Sequence, residues 1–244
     1  EAKHLGGIDV IGSSKASNYN EIPDLGAVPN SSAYLHYTSN NTIFGTQFSG
    51  TPQSEAPLIA DMSSDIFSRE FDANPYHLIY AGAQKNMGPA GTVMYAFDTE
   101  AVGKTGRSIP SYLDLQVHAS KDSMFNTPSV FPVYVTMLTL RWIKSMGGVK
   151  AMEERNARKA ALIYGEIDRN DLFEGHAAGN SRSTMNATFR LKEDTKAAAF
   201  DTLWKAAGIS GIKGHRSVGG YRASMYNALP KESVQVLVDV MQEL

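Results

Sequence analysis

The sequence predicts an α/β fold, in which a mostly parallel mixed sheet flanked by helices is followed by a small α+β C-terminal domain. Two observations support this prediction. Short apolar runs rich in β-branched and aromatic residues recur in the first part of the chain, each ending in Gly, Ser, Asn or Asp. After Thr127 the apolar residues change to helical spacing, and segments typical of strands and helices then alternate to the C-terminus.

The first part of the chain contains the predicted sheet. The apolar runs are IDVIGSS, AYLHYTSNN, PLIADMSS, HLIYAGAQ and GTVMYAF, and the opening EAKHLGG is typical of the end of a helix. Only KNMGPAG separates the last two runs, which is too short for a parallel crossover, so we expect the final strand to be antiparallel. In open α/β sheets ligands bind at the carboxyl ends of the strands, so polar residues there are candidates for a site.

The second part of the chain is predicted to be richer in helices. Thr127 and Pro128 are typical of a helix start, and the helical spacing of apolar residues runs to the break at Gly147 and Gly148. A charged helix over 149–168 follows. STMNATFRL and RASMYNAL are predicted strands, and TKAAAFDTLWKAAG and KESVQVLVDVMQEL are predicted amphipathic helices. We therefore expect a large domain over residues 1–150 and a small C-terminal domain over residues 151–244.

Composition excludes several classes of function. The chain has 244 residues, a formal charge of −2 and no cysteine. The charge provides no general field for nucleic acid or an anionic membrane, so we expect neither as a partner. The absence of cysteine excludes disulfides and thiolate chemistry and favours a cytoplasmic location. The six histidines are scattered without metal-ligand spacing, so no metal is expected.

A lysine and an aspartate form the first candidate site. Lys85 follows a predicted strand in the glycine-rich segment AGAQKNMGPAG, and Asp61 ends the apolar run of LIADMSSD. A pyridoxal cofactor needs an amine to bind its aldehyde and an anion beside its pyridine nitrogen, and these residues supply one of each. Taken alone, Lys85 is more typical of a solvated turn residue, whereas Asp61 is equally typical of a helix N-cap.

Two further segments carry possible anion-binding groups. SMFNTP places hydroxyl and amide donors before a helix whose N-terminus would attract a phosphate, although Thr127 is also typical of a simple helix cap. KGHRSVGGYRAS gathers Lys213, His215, Arg216 and Arg222 around a glycine pair. Such a cluster suits a substrate with two or more anionic groups, while an exposed basic loop would have the same composition.

The segments ADMSSDI, IYAGAQKNMGPAG, SMFNTPSVF and GHRSVGGYRASMYNALP together resemble the phosphoserine aminotransferase family of fold-type I pyridoxal-phosphate enzymes. The resemblance runs from HYTSNNTIFG to the C-terminus. It implies that residues 1–150 are an incomplete fold-type I aminotransferase large domain that binds the cofactor. It also implies roughly a hundred further residues before Glu1, so we expect the chain to be a piece of a longer protein.

The resemblance implies a role for each candidate residue. Lys85 corresponds to the Schiff-base lysine that carries pyridoxal 5'-phosphate, and Gln84 touches the cofactor beside it. Asp61 pairs with the pyridine nitrogen, and Thr42 bonds the ring oxygen. Asn126 and Thr127 reach the cofactor phosphate of the neighbouring subunit, which implies a homodimer with composite active sites. The residues that bind the substrate phosphate and carboxylate are His215, Arg216 and Arg222.

The reaction implied by the resemblance is transamination between glutamate and 3-phosphohydroxypyruvate, which gives phosphoserine and 2-oxoglutarate in serine biosynthesis. The alternative is a truncated, non-catalytic fragment that keeps the dimer surface but binds cofactor poorly or not at all. Two related enzymes fit less well. A cysteine desulfurase is excluded by the absence of cysteine, and a serine–glyoxylate type aminotransferase is disfavoured by the basic cluster in GHRSVGGYR.

Overall fold

A computed structural model describes residues 2–29 and 31–244, which divide into two compact units. The sheet unit comprises residues 34–39 and 57–154. The C-terminal unit comprises residues 2–29, 31–33, 40–56 and 155–244. Both units are discontinuous in sequence, whereas the predicted domains 1–150 and 151–244 are continuous. That domain assignment stays a prediction, and each unit is described by itself.

The described residues form strands and helices with the following bounds. The strands are β1 (Leu35–Thr38), β2 (Asn40–Asn41), β3 (Thr46–Gln47), β4 (Leu58–Asp61), β5 (Tyr76–Gly82), β6 (Val93–Phe97), β7 (Phe173–Gly175), β8 (Asn186–Leu191) and β9 (Tyr221–Ser224). The helices are α1 (Leu115–Ser120), α2 (Val130–Ser145), α3 (Gly148–Arg169), α4 (Ala197–Ala206) and α5 (Lys231–Glu243). None of these helices is long and apolar enough to cross a membrane.

The sheet unit contains the predicted mixed sheet. Its strand order is β1-β4-β5-β6; β4 pairs in parallel with β1 and β5, and β6 pairs antiparallel with β5. The buried face carries alternate residues of the first three strands: Leu35, Tyr37, Leu58, Ala60, Ile79 and Ala81. The predicted mixed topology and the antiparallel return of GTVMYAF are therefore confirmed.

Helix α2 begins later than the sequence predicts. It starts at Val130 after the N-cap residue Ser129, which makes no side-chain capping bond, rather than at Thr127 and Pro128. Its end is as expected, since it stops at Ser145, just before the glycine pair. Ile143 is its one buried residue, although most of its residues are apolar. This helix therefore presents a largely apolar surface outside the core of the sheet unit.

The C-terminal unit is built on a three-stranded antiparallel sheet in the order β7-β8-β9. Helices α4, α5 and the later part of α3 cover it, and the shared core contains Phe173, Phe189, Phe200 and Tyr221 with their rings packed against one another. The β2–β3 hairpin also belongs to this unit. The predicted strands and amphipathic helices of this region are confirmed, and β7 is an additional strand.

The prediction of a strand at IDVIGSS is wrong. Residues 8–14 are mostly exposed and pair with no strand among the described residues, although Gly26 N–H donates to the Ile11 carbonyl at 2.8 Å. An apolar run forms a strand only where a neighbouring edge accepts its backbone hydrogen bonds, and the described chain offers none here. The opening helix is a single short 3-10 turn, Ala2–His4.

Candidate functional site

Asp61 is the last residue of β4, at the carboxyl edge of the parallel strands. Its carboxylate accepts a hydrogen bond from the Ser63 N–H at 2.9 Å, which fixes the orientation of the side chain. Its register partners are Thr38 on β1 and Tyr80 on β5. Asp61 is half-buried, so the carboxylate is available at the sheet edge.

Lys85 lies in a turn directly after β5, at the same edge of the same sheet. The turn is closed by hydrogen bonds from the N–H groups of Met87 and Gly88 to the Ala83 carbonyl, at 3.0 and 2.8 Å. Asn86 Nδ2 donates to the Ile66 carbonyl at 3.0 Å. Lys85 itself is half-buried, and the adjacent Gln84 is exposed. The lysine therefore sits on a rigid turn rather than on a free loop.

Two hydrogen bonds connect the segments that carry Asp61 and Lys85. Gly82 N–H donates to Ser63 Oγ at 3.1 Å, and Met62 N–H donates to the Tyr80 carbonyl at 2.9 Å. Because β4 and β5 are parallel, their carboxyl ends meet at one edge. The structure thus places the two segments that carry Asp61 and Lys85 side by side at one edge of the sheet unit.

The glycines beside Lys85 allow helix α2 to approach. A Cβ on Gly88 would lie 2.7 Å from Thr136 Oγ1 and 3.1 Å from Thr136 Cα. Gly91 has a φ of +112°, and a Cβ there would lie 3.0 Å from Pro132. These glycines therefore serve close helix packing against the lysine turn, in addition to any room they leave for a ligand.

Two residues that the sequence pattern did not single out lie beside Asp61. Tyr80 OH and His36 Nε2 are 3.0 Å apart. Burial, followed by the charge of Asp61 and a hydrogen bond with it, raises the pKa of Tyr80. Burial lowers the pKa of His36, and the negative charge of Asp61 opposes that effect. His36 on β1 and Tyr80 on β5 occupy positions that face the same side of the sheet as Asp61. The alternation of residues along each strand is the sequence signal that could have predicted this.

In the C-terminal unit the structure brings Thr42 and Arg222 together. Thr42 lies in the turn of the β2–β3 hairpin, and Arg222 lies on β9. Arg222 Nη1 donates to the Thr42 carbonyl at 3.3 Å. The Nε atom of Arg222 is buried and has no hydrogen-bond partner among the described residues. An arginine held at one end with an unused donor is suited to bind an anion.

His215 and Arg216 lie in a tight loop of the C-terminal unit that precedes β9. Gly214 N–H donates to the Gly220 carbonyl at 2.9 Å, and a Cβ on Gly214 would lie 1.8 Å from the Gly219 oxygen. His215 Nδ1 accepts a hydrogen bond from the Ser217 N–H at 3.2 Å. Arg216 is exposed. The loop therefore presents both side chains from a backbone with little freedom.

Lys213, also part of the basic cluster, has a different function. Its Nζ forms an ion pair with Asp201 at 2.5 Å. Asp201 also accepts hydrogen bonds from Trp204 Nε1 and Tyr221 OH, at 3.0 and 2.9 Å. Burial raises the pKa of Asp201, but these three donors outweigh it, so the net shift is downward. Lys213 thus anchors the base of the loop to α4.

Asn126 and Thr127 are exposed residues of the sheet unit, in the segment that leads into α2. Asn126 Nδ2 donates to the Thr127 carbonyl at 3.1 Å. Asp61, Gln84 and Lys85 lie in the same unit, whereas Thr42, His215, Arg216 and Arg222 lie in the C-terminal unit. Across residues 2–29 and 31–244, no cluster of three or more acidic or histidine side chains could hold a metal ion.

Comparison with known proteins gives consistent results. The class-V aminotransferase family model matches residues 7–237. The phosphoserine aminotransferase of Flavobacterium psychrophilum is 59% identical over the whole chain, which spans 68% of that protein. That of Bacteroides fragilis is 51% identical, again over the whole chain and 69% of the relative.

Solved structures agree with these relatives. The phosphoserine aminotransferase of Bacillus circulans superposes with a TM-score of 0.95 at 42% identity, covering 99% of this chain and 68% of that one. The PLP-bound phosphoserine aminotransferase of Trichomonas vaginalis gives 0.93 at 32% identity, covering 99% of this chain and 70% of that one. The chain therefore belongs to the phosphoserine aminotransferase family, a pyridoxal-phosphate-dependent family of class-V aminotransferases.

Proposed function

We propose that this chain transfers an amino group between glutamate and 3-phosphohydroxypyruvate, giving phosphoserine and 2-oxoglutarate in serine biosynthesis. The observation that carries the proposal is the placement of Asp61 and Lys85 at one edge of the sheet, on two segments that hydrogen bonds connect. The family membership and the names of the relatives support the choice of substrates. A cytoplasmic location remains a prediction from the absence of cysteine.

The residues of the sheet unit fit pyridoxal 5'-phosphate as the cofactor. An oriented carboxylate at a strand end suits a protonated pyridine nitrogen, and a half-buried lysine on a rigid turn suits attachment to an aldehyde. We assign these roles to Asp61 and Lys85. Gln84 is proposed to touch the cofactor, and Thr42 to bond its ring oxygen. The bound cofactor would supply an electron-poor ring that stabilises negative charge on the substrate carbon.

Lys85 is proposed to have two tasks. Its Nζ would hold the cofactor in the absence of substrate and would be free when an amino acid is bound. Once released, the neutral amine accepts at Nζ the proton that leaves the substrate α-carbon. The closed turn from Ala83 to Gly88 limits the positions that the lysine can reach, which keeps the amine near the sheet edge.

Arg222, His215 and Arg216 are proposed to bind the substrate. Arg222 fits the carboxylate because its buried Nε lacks a partner in the described chain and its guanidinium can form two parallel hydrogen bonds. His215 and Arg216 fit the phosphate group, since the glycine-closed loop holds their backbone in place. Lys213 is not proposed as a ligand, because it is paired with Asp201.

A homodimer is proposed for this chain. Helix α2 and the segment before it expose many large apolar side chains: Ile109, Tyr112, Leu113, Met124, Phe125, Val130, Phe131, Val133, Tyr134 and Leu138. So many exposed large apolar side chains in one stretch of chain are typical of a protein–protein interface. Asn126 and Thr127 lie within it, which supports their proposed contact with the cofactor phosphate of the second subunit.

The alternative function is that of a non-catalytic module which keeps the dimer surface. It is favoured by one fact, that the chain spans 68% of the length of relatives such as that of Flavobacterium psychrophilum. This module would bind the cofactor poorly or not at all, so the two functions differ in whether the chain holds pyridoxal phosphate on Lys85 and turns over glutamate.

The test is to incubate the chain with pyridoxal phosphate, reduce it with borohydride, and map the peptides by mass spectrometry. We expect a pyridoxyl group on Lys85, and none at this position in Lys85→Ala. Lys104→Ala, which changes an exposed lysine of the same unit, is the control and should keep the modification. Transamination should require Lys85. A chain without a pyridoxyl group on Lys85 and without activity would favour the alternative, and an active Lys85→Ala protein would contradict the assignment.

A further inference from the structure

A buried polar stripe on α3 contacts the segment that follows β9 in the C-terminal unit. Lys159 is 0% exposed and Asn156 is 1% exposed. Lys159 Nζ donates to the carbonyls of Met225 and Tyr226, both at 2.8 Å. Asn156 Nδ2 donates to Asn227 Oδ1 at 2.8 Å. Lysine is seldom fully buried because removing its ammonium from water is costly, so this placement needs a reason.

The segment that Lys159 holds is the direct continuation of the strand that carries Arg222. Beyond β9 the strand pairing ends with the hydrogen bond from Met225 N–H to the Met185 carbonyl, at 2.7 Å. The next carbonyls point toward α3, and Lys159 donates to both of them. The Tyr226 carbonyl also accepts from the Leu229 N–H at 2.9 Å. Without Lys159 both carbonyls would lose a donor, and the segment after β9 would keep the Asn156–Asn227 hydrogen bond to α3 but lose the two from Lys159.

The same segment connects to the hairpin that carries Thr42. Asn186 Nδ2 donates to Tyr226 OH at 3.3 Å, and Asn40 Nδ2 donates to Asn186 Oδ1 at 3.0 Å. Asn40 opens the hairpin, whose turn includes Thr42. A set of buried and part-buried hydrogen bonds thus connects Lys159, through Tyr226, Asn186 and Asn40, to the hairpin whose Thr42 carbonyl accepts from Arg222. The strand that carries Arg222 and the hairpin that supplies the Thr42 carbonyl are therefore both linked to Lys159.

We propose that Lys159 is a positioning residue, which fixes the guanidinium of Arg222 in the orientation that binds the substrate carboxylate. The inference rests on the proposed role of Arg222 in substrate binding. Lys159 has no access to substrate, so it acts through the backbone of Met225 and Tyr226 rather than by contact. A residue that only filled space at this position would be apolar, like Met152 and Ile163, which are buried on the same helix.

The protonation of Lys159 is compatible with this role. Burial, with a smaller contribution from the charge of Arg155, lowers the pKa of Lys159 to about 8. The ammonium has three N–H donors and the neutral amine has two, and the two carbonyls require two. Lys159 can therefore donate to the Met225 and Tyr226 carbonyls whether its amine is protonated or neutral.

The test compares Lys159→Met with Lys150→Met, which makes the same change at an exposed position of the same helix. Hydrogen–deuterium exchange measures how firmly the segment after β9 is held by Lys159. Calorimetry measures the binding of glutarate, a dicarboxylate that Arg222 can bind but that has no amino group to transfer. In Lys159→Met we expect faster exchange confined to peptides covering residues 40–47 and 221–227, with α4 and α5 unchanged. The Kd for glutarate should rise about tenfold or more. Lys150→Met should match the wild type in both measurements.

Kinetics separate positioning from loss of fold. The KM for glutamate should rise in Lys159→Met while kcat at saturation stays within about twofold, because Lys85 and Asp61 are untouched. Lys159→Gln keeps two N–H donors and should restore part of the affinity, which also provides a variant if Lys159→Met does not fold.

Each failure has a distinct result. Wild-type protein that binds no glutarate would show that the proposed role of Arg222 is wrong, and the inference would be lost with it. Wild-type binding that Lys159→Met retains in full would overturn the inference alone. Uniformly faster exchange across the C-terminal unit, with unchanged glutarate affinity, would reduce Lys159 to a structural residue and would also overturn it.

Discussion

Individual residues of the C-terminal unit combine burial with incomplete hydrogen bonding, and Arg222 is the clearest example. Its Nε is buried without a partner in the described chain, while Nη1 donates to the Thr42 carbonyl. An unsatisfied buried donor costs about 1–3 kcal/mol, and a bound carboxylate would recover that cost. The energetic disadvantage in the absence of substrate is thus consistent with a binding role.

Replacing Arg222 by Ala should weaken glutamate binding by about 2–5 kcal/mol, because it removes one partner of a buried charge pair. Calorimetry or the KM for glutamate would measure this. Arg190→Ala is a matched control, since Arg190 lies on the neighbouring strand β8 in an exposed ion pair with Glu174. An unchanged glutamate affinity in Arg222→Ala would refute its assignment.

The lowered pKa of Lys159 predicts that the free energy of unfolding depends on pH. Its pKa is about 8 in the folded protein, compared with its usual 10.5, so between these values the unfolded chain binds the proton and the folded chain does not. Stability contributed by this group therefore rises as the pH increases from 8 to 10.5. Below pH 8 both states are protonated and the contribution is constant.

Urea denaturation of wild type and Lys159→Met at several pH values from 7 to 10 tests this. We expect the difference in unfolding free energy between them to move in favour of the wild type above pH 8. Other titrating groups are common to both proteins and cancel. A difference that is flat, or that falls with pH, would show that the folded protein retains the Lys159 proton.

Helix α2 packs closely against the turn that carries Lys85. Gly88 and Gly91 give the helix room to approach, and the helix backbone at Thr136 limits any adjustment. The position of the lysine turn therefore depends on a helix that starts about forty residues later in the chain, in addition to the sheet that precedes it.

Gly88→Ala should destabilise the sheet unit by about 1–3 kcal/mol, because the new Cβ would meet Thr136 Oγ1 and the helix backbone. It should also lower cofactor occupancy, since Lys85 moves with the turn. Thermal unfolding and the pyridoxyl content after borohydride reduction would report these effects. Gly50→Ala is the control, as nothing lies within 4 Å of its added Cβ. Equal stability of the two variants would indicate that the turn adjusts freely.

At the scale of the whole molecule, the proposed homodimer explains why α2 buries only Ile143 within its own unit. Phe131 is 70% exposed and lies in the apolar patch beside Asn126 and Thr127. Large apolar patches of this kind are uncommon on monomers, because the exposure of apolar surface to water is unfavourable. A second copy would cover the patch and complete the proposed composite site.

Phe131→Asp should convert the dimer to a monomer and remove transaminase activity with it, because a carboxylate would be buried in the interface. Light scattering with size-exclusion chromatography would measure the mass. Val236→Asp, on an exposed apolar residue of α5, is the control and should remain dimeric. A wild-type chain that is monomeric at all concentrations would refute the proposed assembly.

The sequence by itself determined the class of fold, most of the strands and long helices, and the family. The strands AYLHY, LIAD and HLIYAG end in polar residues, and the carboxyl edge of a parallel sheet is where such residues meet. Long motifs such as IYAGAQKNMGPAG carried the resemblance. These features are local or periodic, so a single sequence contains enough information to predict them.

Only the tertiary structure decided which polar groups are partners. It paired Lys213 with Asp201, brought Arg222 to the Thr42 carbonyl, buried Lys159 against the end of β9, and left IDVIGSS without a strand partner in the described chain. Each of these depends on contacts between positions far apart in sequence, and the free energy of a buried polar group is set by the partner it finds there. Composition and spacing contain no record of that partner.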